Sequence, residues 1–249
     1  MDLELEGKVA IVTGASRGLG RAISLALAEE GASVLGVARS ERELESLRVE
    51  SSDGVVPYST DMANHSTIPA IVDHALQSLG RVDIVINNAG IAPASPTLDQ
   101  PLEEWERTLA VNLTAPAELA KAAGRHMTAR GSGKIINIAS TSGIRGKATL
   151  AGYSASKGGL IRFTEALASE WARYGVQVNA IAPGAFETEA QQQVLESSEL
   201  LTKRLRKIPA RRMGTIGEIG PLACFLSSPL SDFITGAVFV IDGGEVSRL

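Results

Sequence analysis

Short apolar runs along the chain alternate with longer stretches that carry a helical pattern of apolar and polar residues. Near-continuous Val and Ile runs are typical of strands that are buried on both faces of a parallel sheet. The stretches between them are long enough for crossover helices. Strands are predicted at residues 9–12, 33–38, 55–58, 82–87, 134–138, 176–181 and 237–241. The pattern predicts a single α/β domain, a doubly wound (Rossmann-type) seven-stranded parallel sheet that is flanked by helices.

Composition narrows the class of protein. The 249 residues are 44% hydrophobic and 21% charged, which excludes a disordered or fibrous chain. The net charge of −4 argues against nucleic-acid binding. No apolar run approaches the roughly 18 residues of a membrane helix, and the acidic start at residues 1–4 lacks the basic character of a signal peptide. A cytoplasmic protein that binds neither nucleic acid nor membrane is therefore expected.

The cysteine and the histidines indicate neither a disulfide nor a metal site. Cys224 is the only cysteine, and its apolar surroundings predict a small core residue. The three histidines, His65, His74 and His126, share no metal-ligand spacing, so they are expected at surface or boundary positions and no metal is predicted.

The first predicted strand runs into a glycine-rich turn with the pattern Gly-x-x-x-Gly-x-Gly. Glycines allow a tight turn and a close approach to a pyrophosphate, and the amides at the start of the next helix can donate to it. The turn therefore predicts a dinucleotide site, the alternative being a turn without a ligand. Its candidate residues are Gly14, Ser16, Arg17, Gly18, Leu19 and Gly20.

The end of the second strand bears on the choice of dinucleotide. NAD-binding proteins usually place an acid there for the ribose hydroxyls, but this strand ends in Ala38-Arg39-Ser40. Arg39 and Arg17 are suited to grip a 2′-phosphate. Glu41 lies close enough to complicate this interpretation, and the alternative is that both arginines are solvated. NADP(H) is favoured over NAD(H).

A tyrosine and a lysine four residues apart suggest acid–base chemistry. Tyr153 and Lys157 project from the same face of a helix. A neighbouring ammonium would lower the phenol pKa from its usual value near 10. Tyr153 would then donate a proton to a carbonyl oxygen as hydride arrives, and Ser140, after the fifth strand, would hydrogen-bond that oxygen. Taken singly, these residues could instead be a packing aromatic, a solvated charge and a helix cap.

Several motifs occur together in one order: Asn87-Asn88-Ala89-Gly90, Asn112, Ser140, Tyr153-x-x-x-Lys157, and the segment 183–188. This combination resembles the short-chain dehydrogenase/reductase family from residue 7 to about residue 244. The resemblance implies an enzyme that interconverts a ketone and a secondary alcohol. It also implies that Lys157 holds the nicotinamide ribose and that Asn112 supports a water linking Lys157 to solvent. The implied catalytic residues are Asn112, Ser140, Tyr153 and Lys157.

The same resemblance assigns cofactor contacts along the strand ends. It implies that Asp61 and Met62 lie against adenine and that residues 88–90 line the adenosine ribose with Val111 behind them. It also implies that Pro183, Gly184 and Thr188 hold the nicotinamide and fix which face delivers hydride. The complete predicted cofactor set is Gly14, Ser16, Arg17, Gly18, Leu19, Gly20, Arg39, Ser40, Asp61, Met62, Asn88, Ala89, Gly90, Val111, Tyr153, Lys157, Pro183, Gly184, Phe186 and Thr188.

Substrate choice is expected to lie in residues 91–100 and 142–149 and in a predicted lid at about 185–213. The lid contains six cations, which indicate either an anionic substrate or a solvated helix face. They are Lys203, Arg204, Arg206, Lys207, Arg211 and Arg212.

The nearest branches of the family are the 3-oxoacyl-thioester reductases and the gluconate-type sugar-acid dehydrogenases. Ala115-Pro116 and the stretch 146–152 depart from the carrier-protein reductase pattern, which puts a carrier-protein substrate in doubt. The prediction is a 3-oxoacyl-thioester reductase-like enzyme with a small carbonyl or alcohol substrate that is anionic or thioester-linked. The alternatives are a gluconate-type dehydrogenase and a non-catalytic regulator that senses NADP. By resemblance, the helical stretches 113–123 and 156–171 pair across a dimer, and a homotetramer is expected.

Overall fold

The computed structural model describes residues 2–247, and the strands that the sequence predicts are all present in it. They are β1 (Val9–Thr13), β2 (Ser33–Ala38), β3 (Val55–Ser59), β4 (Ile84–Asn87), β5 (Gly133–Ile138), β6 (Val176–Pro183) and β7 (Val238–Ile241). All are parallel, in the order β3-β2-β1-β4-β5-β6-β7. The predicted doubly wound parallel sheet is confirmed.

Helices connect the strands. They are α1 (Gly18–Glu29), α2 (Glu41–Glu50), α3 (Ile68–Leu79), α4 (Leu102–Leu109), α5 (Ala115–Arg130), α6 (Thr141–Ile144), α7 (Ala151–Trp171), α8 (Gln192–Glu196), α9 (Ser198–Leu205) and α10 (Gly220–Ser227). A π-helical turn at Ala110–Thr114 joins α4 to α5. In residues 2–247, no helix combines the length and the apolar character that crossing a membrane requires.

The strands place alternate residues on opposite faces of the sheet, and both faces are covered. In β1, Val12 packs in a cluster with side chains of α1, α2 and α10, whereas Ile11 packs in a second cluster with α3, α5 and α7. The strands are therefore buried on both sides, which explains why Val and Ile run through them without a polar alternation. Cys224 lies in the first cluster and is 2% exposed, as predicted.

The strand order reverses direction between β1 and β4, which pair in register from Ala10 opposite Ile84. The connections leave this point toward opposite edges of the sheet, so a crevice opens where β1 and β4 end. Thr13 ends β1 and Asn87 ends β4. The fold therefore positions a site beside these two residues.

Candidate active site

A cavity of about 640 Å³ opens at the carboxyl ends of the strands. The structure brings the predicted catalytic and cofactor-binding residues to this one cavity, with two exceptions. Gly20 and Asn112 do not line its wall. Both lie directly behind the cavity wall and contact residues that form it, Gly14 in the case of Gly20 and Ile91 in the case of Asn112.

The conformation of the turn after β1 requires glycine at three positions, Gly14, Gly18 and Gly20. Gly14 has φ +66° and Gly18 has φ +55°, a region that favours glycine. A Cβ on Gly20 would lie 2.2 Å from the carbonyl oxygen of Gly14, closer than any real contact. Gly20 therefore lets α1 approach the turn, while Gly14 and Gly18 face the cavity.

Thr13 and Asn88 fasten the turn to the end of β4. The Thr13 hydroxyl oxygen accepts hydrogen bonds from the backbone N–H groups of Asn88 and Ala89, both at 3.0 Å. The Asn88 side-chain amide donates to the Thr13 carbonyl at 2.9 Å. The Asn88 side chain, which was predicted beside a ribose, thus also holds the glycine turn in place.

The first turn of α1 presents backbone N–H groups toward the cavity. In the described chain, Arg17 at the N-cap makes no side-chain capping bond, and no acidic residue lies in the first turn of α1. The helix start is therefore left for an anion, which the helix dipole favours. Glu189, from the predicted lid, lies over this turn, since a Cβ on Gly18 would be 3.6 Å from its Oε2.

Tyr153 and Ser140 meet at the other end of the cavity. Ser140 is 8% exposed and accepts a hydrogen bond from the Ser142 N–H at 3.0 Å, so it is the cap of α6 as well as a cavity residue. Burial raises the pKa of the Tyr153 phenol, while its hydrogen bond with Ser140 acts in the opposite direction. The predicted lowering of this pKa by Lys157 is not found in the structure, because burial dominates.

Lys157 lies beneath the tyrosine, 3% exposed. Its Nζ donates to the Ile138 carbonyl at 2.7 Å and lies 5.9 Å from the centroid of the Tyr153 ring. Burial lowers the pKa of this lysine to about 8. The physical reason for the difference from the sequence prediction is burial, which raises the pKa of the phenol, while the group that lowers this pKa is Ser140 and not Lys157.

Asn112 is fully buried in the π-helical turn, and its side chain is occupied by protein partners. Its Oδ1 accepts from the Ile91 N–H at 2.9 Å, and its Nδ2 donates to the Ile91 carbonyl at 2.8 Å and to the Ser156 hydroxyl at 3.0 Å. A Cβ on Gly90 would lie 3.3 Å from Asn112 Oδ1 and 3.5 Å from Lys157 Nζ. Asn112 thus positions the wall next to Lys157.

The opposite end of the cavity is more exposed and carries cations. Arg17 and Arg39 both line it with exposed side chains. Ser40 lines it too, and its hydroxyl accepts a hydrogen bond from the Glu43 N–H at 3.4 Å, which caps α2. Glu43 lines the same cavity and adds an acidic residue to its wall.

Sequence reasoning missed the wall residues Ala38, Glu43, Thr60, Arg107, Ile138 and Ala139, whereas the further wall residues Ile91, Ala92, Glu189, Ala190 and Gln191 lie in segments that it predicted for substrate choice. Some of them end or follow predicted strands, so the rule that ligands bind at carboxyl ends would have found them. Glu43 and Arg107 lie on helices, and only the tertiary structure brings them to the cavity.

None of the six cations of the segment 185–213 lines the cavity. Three of them form ion pairs, Lys203 with Glu199, Arg204 with Glu245 and Arg212 with Glu218. The segment also has a small buried cluster of its own around Ile208. Lys203 is 66% exposed, which agrees with the second interpretation of the cations, a solvated helix face, whereas Arg204 is only 16% exposed in its pair with Glu245.

Comparison with known proteins places the chain in a family. Residues 14–245 match a short-chain dehydrogenase family that is described as enoyl-(acyl carrier protein) reductase. The chain is 40% identical to 3-oxoacyl-(acyl-carrier-protein) reductase FabG of Vibrio cholerae, over 97% of this chain and 98% of the relative. It is 38% identical to 2-dehydro-3-deoxy-D-gluconate 5-dehydrogenase of Bacillus subtilis, over 98% and 96%.

A solved structure is similar over the same length. The gluconate 5-dehydrogenase of Burkholderia cenocepacia, crystallised in complex with NADP and tartrate, superposes with a TM-score of 0.93 and 35% identity, over 100% of this chain and 98% of that one. The chain therefore belongs to the short-chain dehydrogenase/reductase family, as its motifs indicated. It is an oxidoreductase of the class that acts on alcohol or keto groups.

Proposed function

We propose that the protein is an NADP(H)-dependent reductase of a ketone, with Tyr153 as the proton donor. The observation that carries the proposal is that Ser140, Tyr153 and Lys157 share one cavity with the glycine turn and with Arg39. A proton donor and a dinucleotide cradle are thereby placed at two ends of the same site.

The residues present fit a dinucleotide with a 2′-phosphate. The turn follows its tight path because Gly14 and Gly18 have positive φ angles and a Cβ on Gly14 would lie 2.9 Å from Ala89 Cα, and the start of α1 offers N–H groups to a pyrophosphate. In residues 2–247, no protein carboxylate is paired with Arg17 or Arg39, so both guanidinium groups are available to a phosphate. The Burkholderia relative binds NADP, which supports the same choice.

Two side chains of the protein are proposed to act on the ketone, one by donating a proton and one by hydrogen-bonding its oxygen. NADPH, when bound, supplies the hydride. Because burial raises the Tyr153 pKa, the phenol is protonated at neutral pH and is ready to donate to the oxygen of a ketone. The Ser140 hydroxyl donates a hydrogen bond to the same oxygen and stabilises the charge that develops there. In the reverse direction, Tyr153 accepts the proton of an alcohol, which requires the phenolate.

The proposed substrate is a 3-oxoacyl thioester, as in the Vibrio relative. A sugar acid is the second candidate, because the Bacillus and Burkholderia relatives are named for gluconate-type substrates. Both share the feature that the site requires, a ketone that is reduced to a secondary alcohol.

The test is NADPH oxidation, followed by absorbance, with acetoacetyl thioesters, keto-sugar acids and simple ketones. Turnover with NADPH on one of these classes supports the proposal and names the class. Tight NADPH binding without turnover across the panel would contradict it in favour of a regulator that senses NADP. A preference for NADH would contradict the roles of Arg17 and Arg39.

A further inference from the structure

Arg107 and Asp61 face each other across the rim of the cavity, and both line it. Arg107 lies in the last turn of α4, whereas Asp61 follows β3, so two distant parts of the chain meet here. The Nη2 atom of Arg107 is 3.4 Å from Oδ2 of Asp61. The motif pattern of the sequence pointed to Asp61 alone.

This ion pair is poorly suited to a stabilising role. It is a single long contact, and the two side chains are 51% and 42% exposed, so solvent screens it. The other carboxylate oxygen, Asp61 Oδ1, accepts from the Ala63 N–H at 3.0 Å. The carboxylate is therefore held at both oxygens and has one orientation at the rim, which suggests a role toward a ligand.

A second contact joins the same two parts of the chain. The His65 Nε2 atom is 3.0 Å from the Ala110 carbonyl. Ala110 begins the π-helical turn, and the next residue, Val111, lines the cavity. The segments that follow β3 and α4 are thus fastened at two points, and together they form the walls of one end of the cavity.

That end continues directly from the arginine that is assigned to the 2′-phosphate. The Thr60 N–H donates to the Ala38 carbonyl at 2.9 Å, and the Ser59 hydroxyl donates to the Arg39 carbonyl at 3.1 Å. A dinucleotide whose ribose phosphate lies at Arg39 therefore places its adenine near the rim where Arg107 and Asp61 meet.

We propose that Arg107 is a specificity-determining residue for the adenine base. Its planar guanidinium covers the face of the ring, as arginine does with aromatic systems. Its contact with Asp61 holds that carboxylate as the acceptor for the exocyclic amino group of adenine, which hypoxanthine lacks. The inference rests on the proposed function, since it assumes that a dinucleotide occupies the cavity.

The test compares the wild type with Arg107→Ala by titration calorimetry. The ligands are NADPH, NADH, the hypoxanthine analogue of NADPH, and nicotinamide mononucleotide. The expected result is a Kd for NADPH and NADH that rises by the same factor, about three- to fivefold for loss of an arginine–ring contact. The preference of the wild type for adenine over hypoxanthine should largely disappear, while binding of nicotinamide mononucleotide stays unchanged.

Two further variants separate the contributions. Arg107→Lys keeps the positive charge and loses the planar surface, so it should retain the preference for adenine and recover only part of the affinity. Arg125→Ala removes another exposed arginine that does not line the cavity, and it should bind every ligand as the wild type does.

The failures can be told apart. A wild type that binds no NADPH overturns the proposed function and the inference with it. If the wild type binds NADPH and the Arg107→Ala protein binds each ligand with the same Kd as the wild type, only the inference is overturned. A loss confined to NADPH, with NADH unaffected, would also overturn it, because Arg107 would then contact the phosphate.

Discussion

The two ends of the cavity are built in opposite ways. At the end where chemistry is proposed, Ser140 and Lys157 are less than 9% exposed, and their polar atoms are bonded to backbone groups of neighbouring segments. At the opposite end, which is proposed to bind the adenosine half of the dinucleotide, Arg17, Arg39 and Glu43 have exposed side chains that reach the cavity from the surface.

The difference in burial suggests that the two ends have different functions, acid–base chemistry at the buried end and the choice of dinucleotide at the exposed end. Buried groups have strongly shifted pKa values and fixed positions, which acid–base chemistry requires. Exposed charges contribute little to stability, but they can choose between ligands that differ by one phosphate. We therefore expect substitutions at the buried end to change turnover or pH dependence, and substitutions at the exposed end to change the choice of dinucleotide.

The largest effect is expected for Tyr153→Phe. The change removes the proposed proton donor and keeps the ring, so kcat should fall about 10²- to 10⁴-fold, with the Kd for NADPH within about twofold of the wild type. Stopped-flow turnover and calorimetry measure the two quantities. Tyr174→Phe, on a tyrosine outside the cavity, is the matched control. A Tyr153→Phe protein that folds and loses NADPH binding would contradict the assigned role.

The burial of Lys157 predicts a pH-dependent stability. Its folded pKa of about 8 lies below the ordinary 10.5, so the unfolded chain binds more protons and stability rises with pH between these values. The free energy of unfolding should rise by about 2 kcal/mol from pH 7.5 to 9.5 in the wild type relative to Lys157→Met. Urea denaturation at both pH values measures it.

Lys121→Met, at an exposed lysine, controls for the general effect of pH on stability and should follow the wild type. Equal pH slopes for the wild type and Lys157→Met would show that the lysine is not desolvated in the folded protein.

At the exposed end, Arg39→Ala should raise the Kd for NADPH about 10- to 100-fold, since a charge-assisted contact with a phosphate is lost. The Kd for NADH should be unchanged, because NADH lacks that phosphate. Arg42→Ala, on a neighbouring exposed arginine that does not line the cavity, is the control. If the Kd values for NADPH and NADH rose by the same factor, the proposed contact between Arg39 and the 2′-phosphate would be wrong.

The smallest effect is expected for Glu43→Gln. The change removes a negative charge that lies in the wall near Arg39, so NADPH should bind about two- to threefold more tightly at low salt. The gain should vanish in high salt, and NADH should be unaffected. Glu41→Gln, outside the wall, should change neither affinity. Weaker NADPH binding by Glu43→Gln would show that the Glu43 side chain favours binding of the phosphate instead of repelling it.

The two ends also differ in how far the sequence predicts them. The motif residues Ser140, Tyr153 and Lys157 could be assigned because they follow strand β5 or lie four residues apart on one helix face, both of which are local relations. The strands were predictable for the same reason, since burial on both faces leaves a continuous apolar run. The fold and the family followed from these local patterns.

Other features depend on contacts that no local pattern records. Arg107 and Glu43 reach the cavity from helices, and only packing of α4 and α2 on the sheet brings them there. The raised pKa of Tyr153 could not be predicted from the spacing to Lys157, because it comes from burial of the phenol in the folded chain. Gly20 lets α1 approach the turn and Asn112 holds the Ile91 backbone, and the motif pattern shows neither of these contacts.

The most direct test of the division between the two ends is a comparison of Tyr153→Phe and Arg39→Ala with the wild type, each measured for NADPH affinity and for kcat at saturating NADPH and ketone. The account predicts that Tyr153→Phe keeps its affinity and loses turnover, while Arg39→Ala loses affinity and keeps kcat. If either substitution changed both quantities by a similar factor, the two ends would act as one unit and the account would be wrong.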